Sequence, residues 1–287
     1  YADSGISGLE VFATVSEAVA ARGDVDIVIS YAPAAHALDA TRDCLEGSSQ
    51  AKLMILVAEN MPYEKTIRAM DALEESGMAC IGPNSPGVMI VEERGGEVDL
   101  LKLGNMPPRL FKIAGGISVV GRSGTVIFEI VERATAKGIG TRLAWAVGGD
   151  KYTGLGFLEA LVMLEQDPAT RFIVINGESG GIQEQLAAQL LTTGIITKPV
   201  IALVTGESLP AGVRCGHQGA VKFAEADDPR VKEQHLLAAG AIVVSNPTEV
   251  AAVIQQIERT GWDLPERRRE ALWEYLVDAG RLTGSRW

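Results

Sequence analysis

The feature that most constrains this chain is a repeating order: short apolar run, glycine-rich turn, amphipathic stretch. The apolar runs are "DIVISY" (26–31), "LMILVA" (53–58), "MACIG" (78–82), "ISVVG" (117–121), "RLAWAV" (142–147), "FIVIN" (172–176), "VIALV" (200–204) and "AIVV" (241–244). Each has the length of a strand, and none alternates cleanly between apolar and polar. That pattern predicts strands buried on both faces of a parallel sheet. Helical stretches lie between them at 34–46, 63–76, 124–137, 154–165, 181–194, 229–239 and 247–258. An earlier helix, "VSEAVAAR", opens on a capping pattern of Thr14 and Glu17. Strands alternating with such helices predict βαβ units, right-handed crossovers and an α/β fold.

The alternation breaks at 88–115, "VMIVEERGGEVDLLKLGNMPPRLFKIAGG", which is charged and rich in Gly and Pro. It reads as irregular, with "VEERGGEVD" as a solvated loop, and the domain boundary is expected there. The expected division is 1–105, 106–258 and a tail, 259–287. The tail carries a helix at about 265–279, with Leu272, Trp273, Tyr275 and Leu276 forming an apolar stripe. A length of 287 residues fits two domains.

A net charge of −11 argues against a nucleic-acid backbone or an anionic membrane as partner. The three cysteines, Cys44, Cys80 and Cys215, show no metal-ligand spacing, so no metal site is expected. They indicate a reducing compartment, the cytoplasm or, in a eukaryote, the mitochondrial matrix. No apolar run reaches membrane-spanning length, and the start, Tyr1, reads as no signal peptide.

In open α/β sheets, ligands bind outside the carboxyl ends of the strands. Three successive strands of the second half end in glycine-rich helix starts. They are Ser123-Gly124-Thr125, the Gly148-Gly149 turn of "GGDKYTG", and "GESGGIQEQ" with Glu178. The unpaired amides and positive dipole end of a helix start suit an oxyanion. After the next strand comes "RCGHQGAV", where Gly216 and Gly219 flank His217, one of only three histidines. Glu178, one strand earlier, is expected to orient the imidazole. A neutral histidine near a helix start and a carboxylate suits phosphoryl transfer on nitrogen. His36 and His235 read as half-buried helix residues, and Glu225, Asp227 and Asp228 as solvated.

These pieces also occur together elsewhere. "GRSGTVIFE", "VGGDKYTG", "LEQDPATRFIVINGESGG", "TKPVIALVTG" and "CGHQGAV" resemble, in order and spacing, the α subunit of succinyl-CoA synthetase. "VFATVSEAV", "YAPAA", "AENMP" and "IGPNSPGV" extend the resemblance across about residues 9–257. It implies a Rossmann-like CoA-binding domain, incomplete here, followed by a flavodoxin-like doubly wound domain. It also implies an ADP- or GDP-forming carboxylate–CoA ligase in which a phosphate is relayed through a histidine to an acyl phosphate. By the same resemblance, His217 matches the phosphorylated histidine and Glu178 the carboxylate contacting it. Ser123, Gly124 and Thr125 match the helix start that receives the phosphate, with Gly148 and Gly149 in that pocket. Tyr31, Ala32, Pro33, Ala58, Glu59 and Asn60 match segments lining CoA. Asn84, Ser85 and Pro86 match the turn near the acyl and thiol end. The nucleotide, ATP or GTP with Mg, belongs to a separate ATP-grasp β subunit, in a heterodimer or α2β2 assembly. No G-x-x-x-x-G-K-[ST] loop occurs in this chain.

The chain departs from the family at several points. The family's opening strand and its glycine-rich CoA loops fall before or around Tyr1. Gln218 stands where Ala is usual, and Phe128 where a Tyr is usual; the missing Tyr hydroxyl removes a polar handle near the substrate and leaves open whether the acid is succinate or another di- or tricarboxylate such as malate or citrate. The loop before the histidine keeps only Arg214 of its basic residues. These departures motivate a second reading, a binding or regulatory subunit without competent CoA binding. A third reading, a dinucleotide-binding Rossmann protein, lacks the G-x-G-x-x-G fingerprint. Cys215, beside His217, suggests no third partner for thiol chemistry.

Overall fold

The computed structural model describes residues 10–214 and 216–261. The tail helix expected at 265–279 and Cys215 lie outside the described residues. In chain order the elements are α1 (Val15–Arg22), β1 (Ile27–Ser30), α2 (Ala37–Gly47), β2 (Leu53–Leu56), α3 (Tyr63–Glu75), β3 (Ala79–Ile81), β4 (Gly87–Arg94) and β5 (Glu97–Gly104). They continue with β6 (Ala114–Gly121), α4 (Gly124–Ala136), β7 (Thr141–Ala146), α5 (Phe157–Gln166), β8 (Phe172–Glu178), α6 (Gln183–Thr192), β9 (Val200–Thr205), α7 (Pro229–Ala238), β10 (Ile242–Val244) and α8 (Pro247–Thr260). Among the described residues, no helix is long and apolar enough to cross a membrane.

Two sheets result. A small parallel sheet runs β1-β2-β3. A seven-stranded sheet runs β10-β9-β8-β6-β7-β4-β5, parallel except for β4 and β5. Every residue of β8 is buried, as a central strand covered by helices on both faces requires. Its parallel part, β7-β6-β8-β9-β10, has the flavodoxin-like order 2-1-3-4-5. The chain leaves β6 toward β7 on one side and later returns to β8 on the other. A crevice therefore opens at the carboxyl ends of β6 and β8, where the two crossovers diverge.

Local chemistry sets the helix starts. Ser123 Oγ caps α4 by accepting from the Val126 N–H, and Asn246 Oδ1 caps α8 through Thr248 and Glu249. Pro229 and Pro247 occupy the first helical position of α7 and α8. Thr14 caps α1, but Glu17 reaches back to the Ala13 N–H rather than to Thr14 itself. Ile55 and Ile81 of the small sheet share a core with Val147, Phe157 and Ile175 of the large one. The two sheets are thus joined by continuous apolar packing.

Most of the stretch expected to be irregular is instead a hairpin, while 105–113 is irregular as expected, apart from a 3-10 turn at Pro108–Leu110. Gly95 and Gly96 both take left-handed angles, the requirement of the two-residue turn that best matches strand twist. β4 then pairs with β7, so the segment read as a solvated loop lies within the hairpin at the edge of the large sheet. His36 and His235 also differ from expectation. Both are exposed, and His36 is the residue before α2 rather than within it. Asp227 and Asp228 do local work: Asp227 accepts from the Phe223 and Ala224 N–H groups, and Asp228 caps α7 beside Lys222.

Candidate active site at the histidine loop

Glu178 is the last residue of β8, and its register partner on β9 is Thr205. The loop after β9 brings His217 back over that strand end. His217 Nδ1 lies 2.7 Å from Glu178 Oε2. The other carboxylate oxygen lies 3.1 Å from Arg122 Nε, close but not aligned for a hydrogen bond. Arg122 follows β6 directly, and it is buried together with Glu178. Its terminal nitrogens donate to the Gly180 and Asp150 carbonyls. A charged row thus runs from Arg122 through Glu178 to His217 across the crevice.

The hydrogen bond to Glu178 raises the His217 pKa, against partial burial, which lowers it. The charges of Glu178 and Glu59 add to the rise, and that of Arg122 opposes it. A carboxylate on Nδ1 also favours the tautomer with the proton there, leaving Nε2 as the nitrogen with a free lone pair.

Two glycines make the approach possible. A Cβ on Gly149 would overlap the His217 ring, so only glycine lets this turn lie flat against the imidazole. Gly180 is left-handed, with the Gly219 carbonyl packed against its α-carbon. The Gly219 N–H in turn donates to the Gly149 carbonyl at 3.0 Å, closing the histidine loop onto the β7 turn.

The helix start at Ser123 sits in the same crevice. The Ser123 N–H points at Asn176 Oδ1 of β8, at 3.3 Å. Among the described residues, the amides of Gly124 and Thr125 carry no hydrogen bond, so α4 presents two donors at its positive end. Pro86 packs on Gly124, with Phe128 beside it, which brings the 84–86 turn to the helix start. Asn84 has a left-handed φ of 57°, and its carbonyl accepts from the Gly149 N–H at 3.1 Å. Ser85 Oγ donates to the Ala146 carbonyl, at 2.5 Å.

The segments Tyr31-Ala32-Pro33, Ala58-Glu59-Asn60 and Asn84 follow β1, β2 and β3, all at the carboxyl edge of the small sheet. Asn60, with a φ of 61°, and Met61 reach the histidine loop: Arg214 donates to Asn60 Oδ1, and Gln218 Nε2 donates to the Met61 carbonyl at 3.0 Å. Tyr31 is exposed at the rim and makes no such contact.

Arg122 and Asp150 were not singled out from sequence, although both stand inside motifs that were. Asp150 is fully buried beside Gly149. Its carboxylate faces the Asn84 amide and the Asn60 and Met61 N–H groups without an aligned hydrogen bond, and burial pushes its pKa up. Among the described residues, no group of three or more His, Cys, Asp or Glu side chains gathers as a metal site would need.

The chain is similar to known proteins in sequence and in fold. Residues 114–257 match the model of the succinyl-CoA ligase-like flavodoxin domain. The chain is 34% identical over 248 residues to the succinate–CoA ligase (ADP-forming) subunit alpha of Methanothermobacter thermautotrophicus, covering 86% of this chain and 80% of that protein. It is 32% identical to the subunit alpha 2 of Archaeoglobus fulgidus, covering 88% and 83%. An ATP citrate lyase from Methanothrix soehngenii, solved with citrate and coenzyme A, shares the fold with a TM-score of 0.77 at 24% identity. The match spans 97% of this chain and 47% of that one. The dinucleotide-forming acetyl-coenzyme A synthetase 1 of Ca. Korarchaeum cryptofilum, solved with phosphate and ADP, shares it at 0.66 and 19%, over 85% and 50%. The chain therefore spans about half the length of these two solved proteins. It belongs to the α-subunit family of the succinate–CoA ligases.

Proposed function

We propose that this chain is the α subunit of a nucleoside-diphosphate-forming carboxylate–CoA ligase, with His217 as the phosphoryl carrier. The observation that carries the reading is the 2.7 Å contact between His217 Nδ1 and Glu178, backed by buried Arg122. With Nδ1–H held by the carboxylate, neutral Nε2 attacks the transferred phosphorus. The P–O bond to the nucleoside diphosphate breaks, and the Nε2–P bond forms. Glu178 stabilises the positive charge that develops on the ring. The free amides of Gly124 and Thr125 offer donors for the phosphoryl oxygens. The substrate carboxylate then takes the phosphoryl group from Nε2, which restores the neutral ring and gives an acyl phosphate. CoA supplies the thiol that displaces phosphate from it.

The residues at the carboxyl edge of the small sheet fit a CoA site by position, since Tyr31, Glu59, Asn60 and Asn84 line one strand-end face. The 84–86 turn, resting on Gly124, joins that face to the phosphoryl site. Phe128 beside it offers an apolar ring to the acid, consistent with succinate or a related di- or tricarboxylate. The nucleotide, ATP or GTP with Mg, is assigned to a β subunit of ATP-grasp fold.

The test is thioester formation. The full protein with its native β subunit, ATP or GTP, Mg and CoA is offered succinate, malate and citrate in turn. The expected result is one acyl-CoA with stoichiometric nucleoside diphosphate and phosphate, lost in His217→Asn. No thioester from any acid, with intact CoA binding, would contradict the ligase reading.

A further inference from the structure

A buried ion pair has no role in the ligase reading, although one member, Glu184, stands inside "GESGGIQEQ". Lys232 stands on α7 and Glu184 on α6, both fully shielded from solvent, with Nζ 2.5 Å from Glu184 Oε2. Taking two charges out of water is costly, and a matched apolar pair is often as stable or more so. If α6 and α7 needed only to pack together, Leu and Met would serve. The hydrogen bonds show where the charges act. Lys232 Nζ donates to the Glu178 carbonyl at 2.8 Å, the Gly180 carbonyl at 2.6 Å and Glu184 Oε2. That uses all three ammonium protons. Glu184 Oε1 accepts from the Glu178 N–H at 3.1 Å. The pair therefore grips both backbone polar groups of Glu178. Gly177 makes room for it, since a Cβ there would lie 2.6 Å from Glu184 Cγ. The other side of the gripped segment bears the histidine loop, at Gly180 against Gly219.

We infer that Lys232 and Glu184 are positioning residues for the phosphoryl relay: they fix the Glu178 backbone so that its carboxylate meets His217 Nδ1 and leaves Nε2 free. Arg122 holds only the far carboxylate oxygen, so the backbone grip is the second of two anchors. The inference rests on the relay reading for its purpose, but the geometry it describes can be tested separately.

The experiment compares Glu184→Gln and the double variant Lys232→Met with Glu184→Leu against wild type, each as the full chain. Removing both charges together avoids a lone buried charge, and the double variant is expected to fold with a Tm at or above wild type. With three histidines in the chain, carbon-13 labelling of histidine gives a spectrum in which His217 is assignable by His217→Asn. Its titration is read first. Glu59 and Arg122 also face the ring and are unchanged in both variants. The expected result is a His217 midpoint shifted toward acid in both variants, and labelling with its native β subunit slowed about 10–100-fold at unchanged KM for the nucleotide. A folded double variant with the wild-type midpoint and wild-type labelling would overturn the inference and leave the pair a packing feature. Should the double variant not fold, an unshifted midpoint in Glu184→Gln overturns it equally. No label on wild type, with shifted midpoints in the variants, would remove the relay reading and keep the positioning role.

Discussion

The carboxyl edges of the two sheets make an instructive contrast. The edge of the large sheet is bound by buried charge: Arg122, Glu178, Glu184 and Lys232 are all buried. The edge of the small sheet is open. Tyr31 is 58% exposed, and Glu59 and Asn60 lie at the surface. Group transfer requires a nucleophile held within a fraction of an ångström of its productive position, which only a rigid surround provides. A surface for a long, flexible ligand requires access and polar groups that tolerate adjustment. On the function proposed above, these two tasks fall to different sheets, whose edges join where Asn84 meets Gly149 and Gln218 meets Met61.

The largest expected effect lies on the rigid side. Arg122→Met leaves Glu178 buried without its cation and is expected to cost about 3–5 kcal/mol in urea unfolding. A loss under about 1 kcal/mol would mean the row is not held by charge at all. Next comes Gly149→Val, whose Cβ would meet the imidazole. It is expected to slow His217 labelling by about 100-fold, the scale of an ångström-sized misplacement, while CoA binding at the other edge changes little. Equal losses of both would erase the division of labour.

Glu178→Gln sharpens the same contrast through pH. The folded-state pKa of His217 is raised above the unfolded value of about 6.5. The stability this contact contributes is therefore fully present below about pH 6.5 and fades as pH rises through the folded-state pKa. On the proposed relay, Nε2 attacks only from the neutral ring, so labelling should rise with pH through that same midpoint. Glu178→Gln is expected to move the midpoint toward acid. A midpoint unmoved by the substitution would sever Glu178 from the ring's chemistry. The smallest effect belongs to the open edge: Tyr31→Ala should change stability by no more than about 0.5 kcal/mol and act, if anywhere, on CoA affinity.

How much of this was legible in sequence follows the same line. The eight apolar runs all form strands; in the central ones, such as β8, residues covered on both faces leave an unbroken apolar signature. The β4–β5 hairpin escaped because it lies at the sheet edge. Glu92, Glu93, Arg94, Glu97 and Asp99 give it the composition of a loop, and only Gly95-Gly96 marked the turn. The pairing of His217 with Glu178 was readable because Glu178 ends β8 and His217 lies in the loop after the neighbouring β9. Arg122 stood in plain sight in "GRSGT", but its reach to Glu178 and to the Gly180 carbonyl, 58 residues away, has no local periodicity. Lys232 and Glu184 were still less visible, since nothing in a helix sequence tells that two charges turn inward to meet across helices.

The measurement that tests the account most directly is transfer of labelled phosphate from ATP or GTP to the chain in the presence of its native β subunit. Wild type should carry an acid-labile, base-stable label on His217, chased off by the carboxylate substrate and CoA, and His217→Asn should carry none. A wild-type protein that stays unlabelled beside an active β subunit would contradict the relay and favour a binding or regulatory subunit built on the same fold.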